Sequence, residues 1–340
     1  MSAPVDRTLQ IERVVAPSHW LLGAKTLLLD RIVPQIERIS LPPAVSAGGT
    51  IAIRYEGTTL IAPSRRSGLK ALKHRLTTQD RPGTTIDGPF VDMRDYSPQN
   101  WSHALLIHAP LCQAAREALG VTPTVLFPAN IPSYVVRAFE LFGFPVVATD
   151  WVVSGPLCRV VPSSVDIMKN CATRLVAPLS EQVHAMPAGV GDAALPERIF
   201  VARKDTRAIS NQAEIEALLA PLGYVTVYPE RLSAPDQIRL FDRATSIVAV
   251  HGAALAPLAY RRASQPAVRL VEIMPAAHMT DFDRVIVENI GGKYIGVRGR
   301  ITVADAAAAY RFGAPYVAHS LSNFEVDPET IALGLEMIEQ

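Results

Sequence analysis

Three short stretches hold residues whose types and spacing suit the handling of a phosphorylated molecule. The first is Ser246-Ile-Val-Ala-Val-His251-Gly252-Ala253-Ala254-Leu255, a β-branched run that turns through His-Gly into an expected helix. Unpaired N–H groups and the positive dipole end make such a helix start attractive to phosphate, and Gly252 lets a ligand approach the backbone closely. In the second, Ile199-Phe-Val-Ala-Arg203-Lys204-Asp205-Thr206-Arg207, a strand ends in three cations within five residues. Arginine there offers phosphate a two-pronged donor. The third, Val268-Arg-Leu-Val-Glu272-Ile, sets one carboxylate in an apolar strand, where it suits the two hydroxyls of a ribose. Each has a plainer alternative: His251 as a core histidine with Gly252 as a turn residue, the basic loop as solvated surface, and Glu272 as the ion-pair partner of Arg269 or Arg261. What favours binding is convergence, because the three features fall on successive loops of one sheet.

The elements that must position them alternate in the C-terminal half. Strands are expected at Arg198–Ala202, Tyr224–Tyr228, Ser246–Val250, Val268–Ile273 and Lys293–Val297. Helices are expected between them near Gln212–Ala220, Ala234–Ala244, Ala254–Arg262 and Phe282–Ile290. Five strands with four crossovers make a parallel, Rossmann-like sheet. Asn211 with Glu214, and Ser233 with Asp236, read as helix caps, while Pro221 and Gly223 stop the first of these helices.

The N-terminal half is less regular. Thr50–Tyr55 and Thr59–Ala62 read as strands, followed by a Pro/Gly-rich stretch and a helix from about Trp101 to Leu119. A strand at Thr124–Phe127, a helix at Ser133–Phe142 and a strand at Pro145–Thr149 complete a second α/β unit. Periodicity disappears between Pro178 and Pro196, which marks the domain boundary. The expected organisation is therefore an N-terminal domain over 1–180, a nucleotide-binding domain over 181–300, and a segment over 301–340. The final helix, Pro328 to Gln340, has one apolar stripe and is expected to pack back on the N-terminal domain.

Composition narrows the function classes. With 33 Lys+Arg against 32 Asp+Glu the formal charge is +1, so no broad field exists to capture nucleic acid. The three cysteines, Cys112, Cys158 and Cys171, form no Cys-x-x-Cys pair, which points away from zinc and disulfides and towards a cytoplasmic setting. Met1 to Arg13 lacks the layout of a signal peptide and no apolar run has the ~20 residues that span a bilayer, leaving peripheral membrane association open. Asp281-Phe-Asp283 has the spacing of a metal-bound sugar-nucleotide site, but it opens an expected helix, where acids favour the dipole anyway. Gly189-Val-Gly191 follows no strand, so it is not a dinucleotide loop, and no Gly-x-Ser-x-Gly elbow, P-loop or His-Glu-x-x-His occurs.

The run from Arg198-Ile-Phe-Val-Ala-Arg203 through Asn211, Glu214, Gly223-Tyr, Val227-Tyr-Pro-Glu230, Gln237-Ile and His251-Gly-Ala-Ala-Leu255 to Val271-Glu272-Ile273 resembles glycosyltransferase family 61. Asn100-Trp-Ser-His103-Ala-Leu-Leu-Ile-His108-Ala-Pro110 resembles that family's N-terminal segment. The resemblance implies an α/β, GT-B-like fold of two Rossmann-like domains with the active site in the cleft between them. It further implies metal-independent, inverting transfer from a nucleotide sugar, UDP-linked by first guess, to a glycan or glycolipid acceptor in surface polysaccharide assembly, with no cofactor. Carried onto this chain, the donor site is Arg203, Lys204, Arg207, Asn211, Gln237, His251, Gly252, Ala253 and Glu272. His103 is the candidate base, with a structural cap or core histidine as its plainer role. Ile107, Leu111 and Gln212 depart from the family pattern, which has an acid, an Arg and a Glu there. A non-catalytic nucleotide-sugar or glycan-binding protein is the alternative.

Overall fold

A computed structural model describes residues 5–15, 20–22, 26–28, 31–33, 36–37, 45–61, 83–162, 173–187, 195–275, 278, 282–300 and 320–339. Cys171, residues 188–194 with Gly189 and Gly191, and Asp281 lie outside them. The chain forms two compact units, Met1–Arg13 with Ala47–Pro187, and Val14–Ser46 with Ala188–Gln340. Among the described residues no helix is long and apolar enough to cross a membrane.

In the first unit, Phe90–Asp92, Thr124–Phe127 and Val146–Ala148 run parallel as neighbours. The sheet continues through Val153–Pro162 to Val45–Ile61, which pair antiparallel. The two expected strands at 50–62 are one strand, bent at Gly57, which takes φ 69° where the pairing shifts register opposite Leu157 and Cys158. This is a bulge, and glycine adopts its left-handed backbone without strain. Val153–Pro162 escaped the sequence reading because Gly155, Pro156 and Pro162 break its strand pattern.

The helix expected from Trp101 to Leu119 is present, but its middle, Ala104–His108, winds as a π turn in which the Ala109 amide donates to the Ala104 carbonyl. Pro110 lacks an amide, and its ring crowds the carbonyl four residues back; a widened turn before it relieves that conflict. All five residues of the π turn are buried.

In the second unit the five expected strands all form and are parallel, in the order Val225–Val227, Arg198–Val201, Ser246–Val250, Arg269–Met274, Lys293–Arg298. Trp20–Leu22 and Ile36–Glu37 extend this sheet beyond Lys293–Arg298. Ser233 caps the helix Ala234–Arg243 by accepting from the Asp236 amide. Asn211 precedes the helix Gln212–Leu219 without a side-chain cap bond. Instead its amide donates to Glu214 and to the Val326 carbonyl and accepts from the Val326 amide. The helix expected at Ala254–Arg262 is a 3-10 helix, Ala253–Tyr260, with Pro257 inside it.

The final helix, Pro328–Glu339, corrects the expectation that it packs on the N-terminal domain. Ile331 and Ile338 lie in the second unit's core with Phe200, Val248, Val271 and Ile295, and Glu339 pairs with Arg269. Its apolar stripe covers one face of the parallel sheet, which needs helices on both faces. Replacing Ile331 by Ala should lower stability by about 2–5 kcal/mol, read as a shift in urea midpoint; an unchanged midpoint would mean the helix contributes nothing to this core.

Candidate functional site

The strands Arg198–Val201, Ser246–Val250 and Arg269–Met274 are adjacent and parallel, so the residues that follow or end them share one sheet edge. There Arg203 donates from Nη1 to the His251 carbonyl at 3.2 Å, and from Nη2 to Asp205 Oδ1 at 3.3 Å and Thr206 Oγ1 at 3.4 Å. Gly252 has extended backbone, so conformation does not require glycine. The space beside it is taken by Arg203: a Cβ there would lie 1.9 Å from Arg203 Nη1, so a larger residue would shift the guanidinium. The guanidinium is thus seated against the His-Gly turn.

Beneath it is a buried polar network. His251 Nδ1 bonds Glu272 Oε1 and lies 3.0 Å from Asp283 Oδ2, while Tyr294 Oη donates to Glu272 Oε2 at 2.6 Å. Tyr294 reaches the carboxylate across Gly296, where a Cβ would stand 3.1 Å from the tyrosine hydroxyl. The His278 ring lies 4.2 Å from that of His251, tilted by 40°.

Electrostatics follows from this packing. Burial works against a charged His251, but Glu272 and Asp283 outweigh it and raise the ring to about 9. Burial, then the adjacent Glu272 charge, pushes Asp283 up to about 7. Burial would also raise Glu272, yet the His251 charge and the hydrogen bonds from its neighbours hold it well below the usual carboxylate range. Burial and then the His251 charge press His278 down to about 3. The arrangement is an imidazolium fixed by a buried carboxylate, next to a guanidinium and a glycine turn, and it can hold a dianionic phosphate group.

The sequence expectation set Glu272 against a donor ribose; the structure corrects it. Glu272 is 0% exposed and gives its two oxygens to His251 and Tyr294. The ion-pair alternatives also fall away, because Arg269 pairs with Glu339 and Arg261 donates to the carbonyls of Phe241, Asp242, Ala244 and Pro266. Lys204 lies over the Tyr228 ring at 4.6 Å. Arg207, at φ 63°, donates to the Ser320 carbonyl and is close enough to Arg203, Asp283 and Glu272 to feel their charges. Asn211 is occupied by the Val326 backbone, and Gln237 is buried and donates to the Leu232 carbonyl. Ala253 begins the 3-10 helix.

Sequence reasoning missed Tyr294 and His278, and set Asp283 aside as a helix-start acid. Asp283 does open the helix Phe282–Asn289, but it is buried. His251, Glu272 and Asp283 offer ligand atoms within 4.8 Å of one another, a donor set that suits a divalent cation. In this structure those atoms contact each other directly, so a cation would have to displace the proton that His251 shares with the carboxylates.

In the first unit, His103 places Nδ1 2.7 Å from the Tyr96 carbonyl. That contact requires Nδ1 to carry a proton, leaving Nε2 as the acceptor in the neutral ring. His108, five residues on, lies inside the π turn with Nδ1 3.4 Å from Met93 Sδ, and burial pushes it down to about 3.

A family model described as Glycosyltransferase 61 matches residues 30–270. No curated protein matches the chain. Among solved structures, a dodecameric iron-containing heptosyltransferase, TibC, in complex with ADP-D-beta-D-heptose, is similar at 10% identity and a TM-score of 0.30. The similarity covers 59% of this chain and 60% of that one, and is too low for either fold to be read from the other.

The raised Asp283 and His251 set a pH dependence. A group whose folded value is raised stabilises fully below its unfolded value and loses that contribution as pH climbs through the folded one. For Asp283 the loss runs from 3.8 to about 7, and for His251 from 6.5 to about 9. Below about pH 6.5 His108 and His278, both depressed, work the other way and gain stability as pH rises. Urea midpoints should therefore fall only from about pH 7 to 9, and Asp283→Asn, which cannot ionise, should make the midpoint climb more steeply with pH below about 7. A variant with the wild-type slope would remove Asp283 from the network.

Proposed function

The chain belongs to the glycosyltransferase 61 family, and on that premise we propose that it moves a sugar from a nucleotide-sugar donor held in the second unit to a hydroxyl acceptor held in the first. The observation that carries this reading is the Arg203 guanidinium seated on the His251-Gly252 turn above the buried Glu272. Departure of a nucleoside diphosphate develops negative charge, and fixed cations aimed at it stabilise that charge without reorganising. Lys204 and Arg207 extend the positive edge. The two α/β units act in GT-B fashion, each holding one substrate, and transfer inverts the anomeric centre without a metal ion or cofactor.

His103 is the base in this scheme, since its Nε2 is the ring nitrogen left to accept a proton from the acceptor hydroxyl. The acceptor is a glycan or glycolipid, the donor a UDP-sugar, and the setting surface polysaccharide assembly on the cytoplasmic side, with peripheral membrane association and no nucleic-acid partner. Ile107 favours a second reading, a binding protein without turnover: it lies in the buried π turn where the family pattern has an acid. Leu111 is buried as well, which suits its apolar side chain.

Replacing Arg203 by Ala should remove a charge-assisted contact of about 1.5–3 kcal/mol, weakening nucleoside-diphosphate binding tenfold or more in calorimetry while nucleoside binding changes little. Unaltered diphosphate affinity in a folded variant would return Arg203 to the role of a surface residue. Donor turnover should survive EDTA. Activity lost to chelation and restored by Mn²⁺ would assign the His251, Glu272 and Asp283 cluster to a cation, and tight donor binding without turnover on any acceptor would favour the binding protein.

A further inference from the structure

The parallel strands of the first unit also open onto a carboxyl edge, and three loops close it: 93–100 after Phe90–Asp92, 128–132 after Thr124–Phe127, and 149–152 after Val146–Ala148. These loops are tied to one another. Tyr134 Oη donates to the Gln99 carbonyl at 2.8 Å, Gln99 donates to Asn130 at 3.3 Å, Arg94 donates to the Trp151 carbonyl at 2.9 Å, and the Ala129 amide donates to Asp150 at 3.1 Å. The first loop is strained, with Tyr96 and Ser97 at φ 60° and 51°, a backbone that neither residue type favours. That strain presents Tyr96 to solvent while its carbonyl holds His103.

What this ring of loops exposes is specific. Tyr96 is 60% exposed, Trp151 45% and Tyr134 42%, the last set edge-on to Trp101 with ring centroids 5.6 Å apart. Among the described residues, every large apolar side chain exposed on these loops or the helix start they lead to is aromatic with a polar end. The same loops carry amides and a carboxylate, from Gln99, Asn130 and Asp150. Flat rings beside hydrogen-bonding side chains match a pyranose, whose axial C–H bonds lie on an aromatic face while its hydroxyls point to the rim. Arg94, the cation on these loops, is paired with Asp92, so the rim offers no basic patch to the anionic lipid surface that aromatic residues could otherwise enter.

Resting on the glycosyl-transfer reading above, we propose that these loops form a saccharide platform on which Tyr96, Tyr134 and Trp151 receive pyranose rings of the acceptor beside His103. The acceptor is thus an oligosaccharide recognised through its sugar faces, rather than a protein or lipid hydroxyl. Because the loops are already tied together, little ordering is left to oppose binding.

The test uses the full chain and saturation-transfer NMR against linear oligosaccharides of neutral, amino and uronic pyranoses. Three further measurements accompany it: nucleoside-diphosphate binding, co-sedimentation with phosphatidylglycerol vesicles, and melting temperature. Wild type should transfer saturation to pyranose C–H protons of at least one oligosaccharide. Trp151→Ala and Tyr96→Asn, the latter keeping a residue that tolerates the left-handed backbone, should each weaken that binding tenfold or more, with nucleoside-diphosphate affinity unchanged. Trp151→Phe should retain most of it, and Val121→Ala, an exposed apolar residue away from these loops, all of it. No saccharide binding in a folded wild type, equal saccharide binding across the variants, or loss of vesicle binding in their place would overturn the platform. Absence of nucleoside-diphosphate binding in wild type would instead sink the donor reading and leave the platform to stand on its saccharide result.

Discussion

A carboxylate with no exposure cannot persist in an apolar strand without a partner, and the second unit is arranged around supplying one. Glu272 sits in the middle of a parallel sheet, opposite Ala249 on one side and Gly296 on the other, so neither neighbour fills the space above it. His251 enters that space from the end of one strand, Tyr294 from another strand, and Asp283 from the helix between them. Each is small or polar for the same reason. If any one were replaced by a bulky apolar residue, the carboxylate would lose its compensation and His251 its fixed orientation.

This constraint connects core to surface. The charged ring that neutralises Glu272 also follows the strand end on which Arg203 rests, and Arg203 fills the space beside Gly252. The Arg207 backbone, in the left-handed region, turns the same loop towards the Ser320–Leu321 segment. The His251 charge at this edge is therefore sustained by the buried carboxylates of Glu272 and Asp283. In the first unit the corresponding edge is shaped by backbone strain and a π turn, which bring His103 and His108 under one loop.

Much of the second unit was legible in sequence because its strands are continuous β-branched runs and Ser233 with Asp236 punctuates its helices. The three convergent features were legible too, since strand order alone brings Arg203, His251 and Glu272 to one edge. The role of Glu272 was not. Its partners Asp283 and Tyr294 come from elements whose facing is fixed only by tertiary packing, and an acid at a helix start reads as a surface residue until the helix is seen to bury it. Trp20–Leu22 and Ile36–Glu37 are too short to carry a period. The Pro328–Glu339 helix showed an apolar stripe, but a stripe does not say which core it fills.

In the proposed donor site Glu272 acts through His251 upon phosphate rather than upon ribose. The most direct measurement is calorimetric affinity for a nucleoside and for its diphosphate, in wild type and in Glu272→Gln. Wild type should gain strongly from the added phosphates; the variant should lose most of that gain while binding the bare nucleoside as before. Equal losses for nucleoside and diphosphate would place Glu272 at the ribose after all and contradict the account.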